Sequence, residues 1–250
     1  MAAYDFTAPR LFVEADLAAG ARLPLDRAQA NYLLNVLRRK PEDPVLLFNG
    51  RDGEWRAHLD PTGRKSADLV LAARTRPQPA RADLHYLFAP LKSARLDYLA
   101  QKAVEMGAGT IRPVLTRYTQ GERLKPERLR ANAIEAAEQC GILAIPSLPE
   151  AARLPAALAD LEPERLLVFC DEAAAVADPV AALRAAADPD APPPLAVLIG
   201  PEGGFAPEER AMIQERPNSV GLSLGPRILR ADTAAVAALA LVQAVLGDAR

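Results

Sequence analysis

Residues 195–210 read LAVLIGPEGGFAPEER, and their order decides what kind of fold the chain builds. Five consecutive apolar residues, Leu195 to Ile199, make a strand with no polar face, which suits a sheet covered on both sides. The loop Gly200-Pro201-Glu202-Gly203-Gly204-Phe205 follows, and Pro207 then opens a helix where a missing N–H is tolerated. In open parallel sheets ligands bind beyond the carboxyl ends of the strands, and three glycines let backbone amides approach a ligand without Cβ obstruction. The loop lacks the Lys-Ser/Thr ending of a nucleotide P-loop and the spacing of GxGxxG. Without a ligand it reads as a tight turn with proline in second position.

The same strand, turn and helix order recurs at residues 222–233, LSLGPRILRADT. Here Asp232 or Thr233 can cap the helix, a purely structural use of the segment. If the two strands are neighbours, both turns open into one cleft. Further apolar runs, LHYLFA (84–89), TIRPVL (110–115), RLLVFC (165–170) and SVGLSL (219–224), alternate with helical stretches, which predicts an α/β domain with a parallel sheet. One helix spans about Ala94 to Met106 and stops at Gly107. Another starts near Pro126 and carries Ile134, Ala137 and Cys140 towards Gly141. The last, from near Asp232, is apolar almost all round and must be covered by its own core or by a second subunit. DPDAPPP at 188–194 reads as a surface loop.

Upstream, residues 1–75 read as a small β-rich module with one helix. Asp26 can cap a helix through AQANYLLNVLRR (28–39), which Pro41 and Pro44 end before the strand Val45 to Phe48. In NGRDGEW, Asn49 and Gly50 tolerate positive φ, so a hairpin into Glu54 to Leu59 is expected. RTRPQPARAD (74–83) has linker composition, which divides the chain into domains 1–75 and 76–250.

Half of the 250 residues are hydrophobic and a quarter charged, a globular composition rather than a disordered or fibrous one. The longest apolar run, Ala234 to Leu246, contains Gln243 and is too short to cross a bilayer, and MAAYDFTAPR does not read as a signal peptide. Cys140 and Cys170 make no disulfide framework, and His58 and His85 make no zinc cluster, so a reducing cytoplasm and no metal are expected. Residues 1–130 hold 22 Lys+Arg against 15 Asp+Glu, while residues 131–250 hold 8 against 17, a split of +7 and −9. The front region can therefore meet a polyanion although the whole chain is acidic; a solvated surface is the plainer explanation.

Taken together, IGPEGGF (199–205), LGPRILRADTA (224–234), PRLF (9–12), NVLR (35–38), LFNG (47–50), LKSARLDYLAQKAVEMGAGTIRPVLT (91–116) and EAAEQCG (135–141) resemble the RsmE family of 16S ribosomal RNA uracil N3-methyltransferases, in the SPOUT superfamily. The resemblance covers nearly the whole chain in order. It implies a PUA-like RNA-binding barrel, a trefoil-knotted α/β methyltransferase domain that binds S-adenosylmethionine in the knot, and a homodimer. The partner it implies is 16S ribosomal RNA or the small ribosomal subunit. On this resemblance Leu198, Gly200, Gly203, Leu224, Gly225, Ile228 and Leu229 hold the cofactor. Arg230 stabilises charge on the uracil carbonyl oxygens, and Glu202 orients base or cofactor or takes the N3 proton. Arg10, Arg38, Arg39, Lys40, Lys92, Arg95 and Arg117 contact phosphate, although each alone reads as ordinary surface charge. Phe12 or Tyr118 supports the extruded base, although core packing is the plainer reading for both. Tyr32, Ile142 and Asp232 depart from the histidine, arginine and glutamate usual in the family. A methyltransferase for another RNA position, or a non-catalytic RNA-binding assembly factor, are the competing readings.

Overall fold

The computed structural model describes residues 5, 7–63, 66–120, 124–172, 174 and 178–249. Contacts divide the chain into one unit of Met1–Ala80 with Ala137–Ile145 and a second of Arg81–Ala136 with Pro146–Arg250.

The first unit is built on five strands, β1 (Arg10–Phe12), β2 (Arg22–Pro24), β3 (Pro44–Phe48), β4 (Glu54–Gly63) and β5 (Ser66–Arg76), in the order β1-β3-β4-β5-β2. β1 runs parallel to β3, and the other pairs are antiparallel. Alternation in β4 and β5 sends Ala57, Leu59, Leu69 and Leu71 into a core with Leu11, Leu33, Val45 and Leu47. The β3 to β4 hairpin forms where NGRDGEW predicts it. Asn49 does its work through its side chain, whose Oδ1 accepts the Arg51 and Asp52 N–H groups, and the positive φ falls on Gly50 and Gly53. Arg74 to Arg76 of the expected linker lie within β5.

Asp26 caps α1 (Arg27–Ala30) by accepting from the Gln29 N–H, while the Gln29 side chain accepts from the Asp26 N–H. The helix then widens into a π turn over Asn31–Val36, with the Leu37 N–H reaching the Tyr32 carbonyl. It ends one turn sooner than the sequence predicts, because Arg38 adopts φ 53°.

The second unit holds β6 (Leu84–Phe88), β7 (Thr110–Leu115), β8 (Ala152–Arg153), β9 (Leu166–Cys170), β10 (Leu195–Ile199) and β11 (Ser219–Leu222) in one parallel sheet, ordered β11-β9-β10-β6-β7-β8. On one face Leu87, Val114, Leu167, Phe169, Ala196 and Leu198 pack with Leu154 and Leu158 of α4 (Leu154–Ala159) and Ile213 of α6 (Pro207–Glu215). α2 (Ser93–Glu105) and α5 (Pro179–Ala186) pack against α7 (Ala231–Val245), which also meets β10. Helix cover is what lets the central strands be apolar without alternation. α3 (Pro126–Cys140) starts and stops at the predicted residues, but Cys140 is exposed rather than packed.

Gln243 interrupts the apolar run of α7 because its Nε2 donates to the Met106 carbonyl, 2.8 Å away, at the end of α2. A Cβ at Gly107 would stand 2.6 Å from that nitrogen, and the φ of 81° also demands glycine there. Ala231, Ala235, Ala238, Leu239 and Val242 face inward, leaving Thr233, Ala240 and Ala244 exposed with Ala237 and Leu241 half-buried. No described helix is long and apolar enough to cross a membrane.

Candidate active site

β10 and β11 deliver both glycine turns to the same carboxyl edge, but they are not neighbours: β9 lies between them. One intervening strand separates the turns by about 10 Å. The expectation of adjacent strand ends is therefore corrected. The gap is closed by Asp171, directly after β9, whose buried carboxylate accepts from Arg210 of α6 at 2.9 and 2.8 Å and whose N–H bonds the Leu222 carbonyl. Sequence reasoning missed this pair, since nothing local marks an aspartate and an arginine 39 residues apart as partners.

In the first turn the hydrogen bond runs from the Gly204 N–H to the Pro201 carbonyl, so proline stands first in the turn, not second. Leu198 is fully buried in β10. A Cβ at Gly200 would come within 3.0 Å of the Phe205 ring, which itself meets Phe169 edge-on. Glu202 is exposed and pairs with Arg95 of α2; Gly203 is exposed beside Tyr118. Glu209 joins two segments through one carboxylate, accepting from the Ala206 N–H at the loop exit and from the Arg117 N–H after β7.

The second turn, residues 223–230, is open. Gly225 has φ 95° and free space where a Cβ would project, Leu224 and Leu229 are half-buried, and Ile228 is 93% exposed. An isoleucine left this bare is apolar surface awaiting cover. Arg230 is exposed at the N-cap of α7 and makes no side-chain hydrogen bond or ion pair among the described residues, so the ion pair with Asp232 does not form. Asp232 does not cap the helix either; it lies in the first turn and accepts from the Thr233 N–H.

Beneath this edge the Tyr86 hydroxyl is buried and has no hydrogen-bond partner among the described residues. Burial, with Cys170 and Asp232 as electrostatic neighbours, pushes it well above the ordinary phenol value. Burial likewise pushes the Cys170 thiol up to about 12, so it stays neutral. An uncovered isoleucine and a glycine turn with free space above it fit a bound molecule with an apolar ring.

The expected phosphate ligands fare unequally. Arg10 is 8% exposed, with its guanidinium on Glu54 Oε1 at 2.9 Å and on the Asp5 carbonyl, so it is a structural cation of the first unit rather than a phosphate contact. Arg39 is half-buried and donates to the Thr7 carbonyl, while Arg38 and Lys40 are exposed on the same unit. On the second unit Lys92 is exposed, and Arg95 and Arg117 are engaged by Glu202 and Glu208. Phe12 packs edge-on against Phe48 at 5.7 Å, whereas Tyr118 is 42% exposed. A cavity of about 440 Å³ lies at the other end of the sheet, between Asp83, Leu84, Pro192–Leu195 and Gln243, away from both turns. No metal-binding cluster occurs among the described residues.

Comparison with known proteins agrees with this geometry. The RNA methyltransferase domain family matches residues 78–243, and the RNA methyltransferase PUA domain family matches residues 25–72. The Ribosomal RNA small subunit methyltransferase E of Rickettsia conorii is 28% identical over 94% of each chain. Among solved structures, a putative methyltransferase from Legionella pneumophila in complex with bound S-adenosylmethionine superposes with a TM-score of 0.79 at 28% identity, covering 95% of this chain and 97% of that one. The Ribosomal RNA small subunit methyltransferase E of Neisseria gonorrhoeae, bound to S-adenosylmethionine, gives 0.77 at 26% identity over 96% and 99%. The six-stranded parallel sheet with its two glycine turns, and the β-rich unit before it, are the architecture of a SPOUT methyltransferase with a PUA-like domain, and the chain belongs to the RNA methyltransferase family, in its RsmE group.

Proposed function

We propose that the protein methylates N3 of a uracil in 16S ribosomal RNA, with S-adenosylmethionine as donor. The observation that carries this reading is the pair of turns at one sheet edge, the second of them open and apolar at Leu224, Gly225, Ile228 and Leu229. It is joined by the near full-length likeness to small-subunit methyltransferases and to structures holding that cofactor.

When bound, the cofactor supplies a methyl group already activated on a sulfonium. The protein's own task is to hold the base in line and to manage the N3 proton. Leu198, Gly200, Gly203 and the 224–229 turn form the cofactor cradle. Arg230, whose guanidinium has no competing partner among the described residues, stabilises negative charge on the uracil carbonyl oxygens as the proton leaves. Glu202, in the first turn and held by Arg95, orients the base.

The module of residues 1–75 binds RNA through exposed Arg38 and Lys40, and residues 76–250 carry catalysis. Two copies pair through the small apolar face of α7 at Ala237, Ala240, Leu241 and Ala244, which is left uncovered in the single chain. A ribosomal RNA substrate places the reaction in the cytoplasm.

Isothermal calorimetry tests the cofactor site. Saturable binding of S-adenosylmethionine that Ile228→Asp weakens at least tenfold, without change in thermal stability, is the expected result. Absence of binding by the wild-type protein would leave only a non-catalytic RNA-binding role.

A further inference from the structure

We propose that Tyr118 is the stacking platform for the target uracil, an inference that rests on the function proposed above and assigns a residue to recognition of its base. β7 leaves the sheet at the same carboxyl edge as β10, with β6 between them. It passes directly into a turn closed at residues 116–119. There the Thr119 N–H reaches the Thr116 carbonyl, the Thr116 N–H donates to Thr119 Oγ1 at 2.9 Å, and the two hydroxyls meet at 2.9 Å. Tyr118 is the third residue of that turn, so its backbone is fixed by three hydrogen bonds.

The turn is tied to the glycine loop as well. The Glu209 carboxylate accepts from Arg117 N–H at 2.8 Å and from Ala206 N–H at 3.1 Å, and Glu208 pairs with the Arg117 guanidinium. At Gly203 a Cβ would stand 3.5 Å from Tyr118 Cβ and 3.9 Å from Cγ. The root of the side chain therefore stands beside the loop with room for no more than one carbon between them, while the residue as a whole is 42% exposed. Core packing does not account for an aromatic held this way. Phe12, the other candidate of the sequence, is by contrast packed on Phe48.

A base must leave its stack to reach a buried methyl donor, and it regains stacking on an aromatic face at the site mouth. Such a contact strengthens binding by about five- to a hundredfold per base. Tyrosine suits the role because it has only two side-chain torsions to fix.

The test is a thermodynamic cycle on the full-length protein. Binding is measured for an RNA oligonucleotide of the methylated segment, carrying either uridine or an abasic residue at the target position. Wild type, Tyr118→Phe, Tyr118→Leu and Tyr118→Ala are compared, with cofactor affinity measured alongside. The expected result is a loss of about tenfold in Kd and KM for the uridine RNA in the Leu and Ala variants, little change in the Phe variant, and no effect on abasic RNA or on cofactor binding. Equal losses on both RNAs, no loss on either, or a parallel loss of cofactor affinity would overturn the role of Tyr118 while leaving the enzyme intact. Failure of the wild-type protein to methylate 16S ribosomal RNA, either free or within the small subunit, would overturn the proposed function, and this inference with it.

Discussion

Among the described residues Arg230, like Arg227 in the same turn, makes no ion pair, whereas Arg95, Arg117 and Arg210 are paired with Glu202, Glu208 and Asp171; Arg230 differs from Arg227 in standing at the N-cap of α7. A lone guanidinium at the mouth of an open turn is placed to meet charge that arises only during reaction, and such charge stabilisation is commonly worth about 100-fold or more in rate. Arg230→Ala is therefore expected to lower kcat by about that factor while cofactor affinity, read by calorimetry, stays within about twofold. Unchanged turnover would reduce Arg230 to a helix N-cap. Its motif exposed this residue in the sequence, yet motif and charge could not separate it from Arg10, which looks equally basic. What removes Arg10 from solvent is Glu54, 44 residues away, and no local pattern records that distance.

The elements themselves were legible. LHYLF, LLVFC and LAVLI emerge as β6, β9 and β10, and Gly107 and Gly141 end α2 and α3 at positive φ, because apolar runs and left-handed stops act locally. Strand order was not legible. That β9 separates β10 from β11 depends on crossovers between strands 20 or more residues apart, which periodicity does not encode. The π turn after α1 is equally silent in composition.

The hairpin of β4 and β5 carries a second consequence. Burial raises the Glu54 carboxyl, but hydrogen bonds from Arg76, Thr75 and Arg10 outweigh it and hold the group below its ordinary 4.5. A carboxyl depressed by folding adds stability that is present above its unfolded value and disappears as pH falls through the folded one. Thermal melts should thus lose stability from about pH 4.5 downward, and Glu54→Gln should flatten that dependence. At neutral pH the same variant should cost about 3–5 kcal/mol, because it removes the buried carboxylate that Arg10 and Arg76 share. A variant as stable as wild type at pH 7 would show that the network contributes nothing.

For the chain as a whole, net charge misleads: a count of −2 contains a front region at +7, and RNA binding follows local density rather than the total. The uncovered face of α7 carries the expectation of a homodimer. Sedimentation should find twice the 26.8 kDa of one chain, and Leu241→Glu should convert it to monomer; a wild-type monomer would contradict that use of the helix.

Purified protein incubated with S-adenosylmethionine and small subunits lacking the modification, followed by nuclease digestion and mass spectrometry of 16S ribosomal RNA, reads the product directly. N3-methyluridine at a single position is the result predicted; methyl on another atom or another RNA, or none at all, would contradict it.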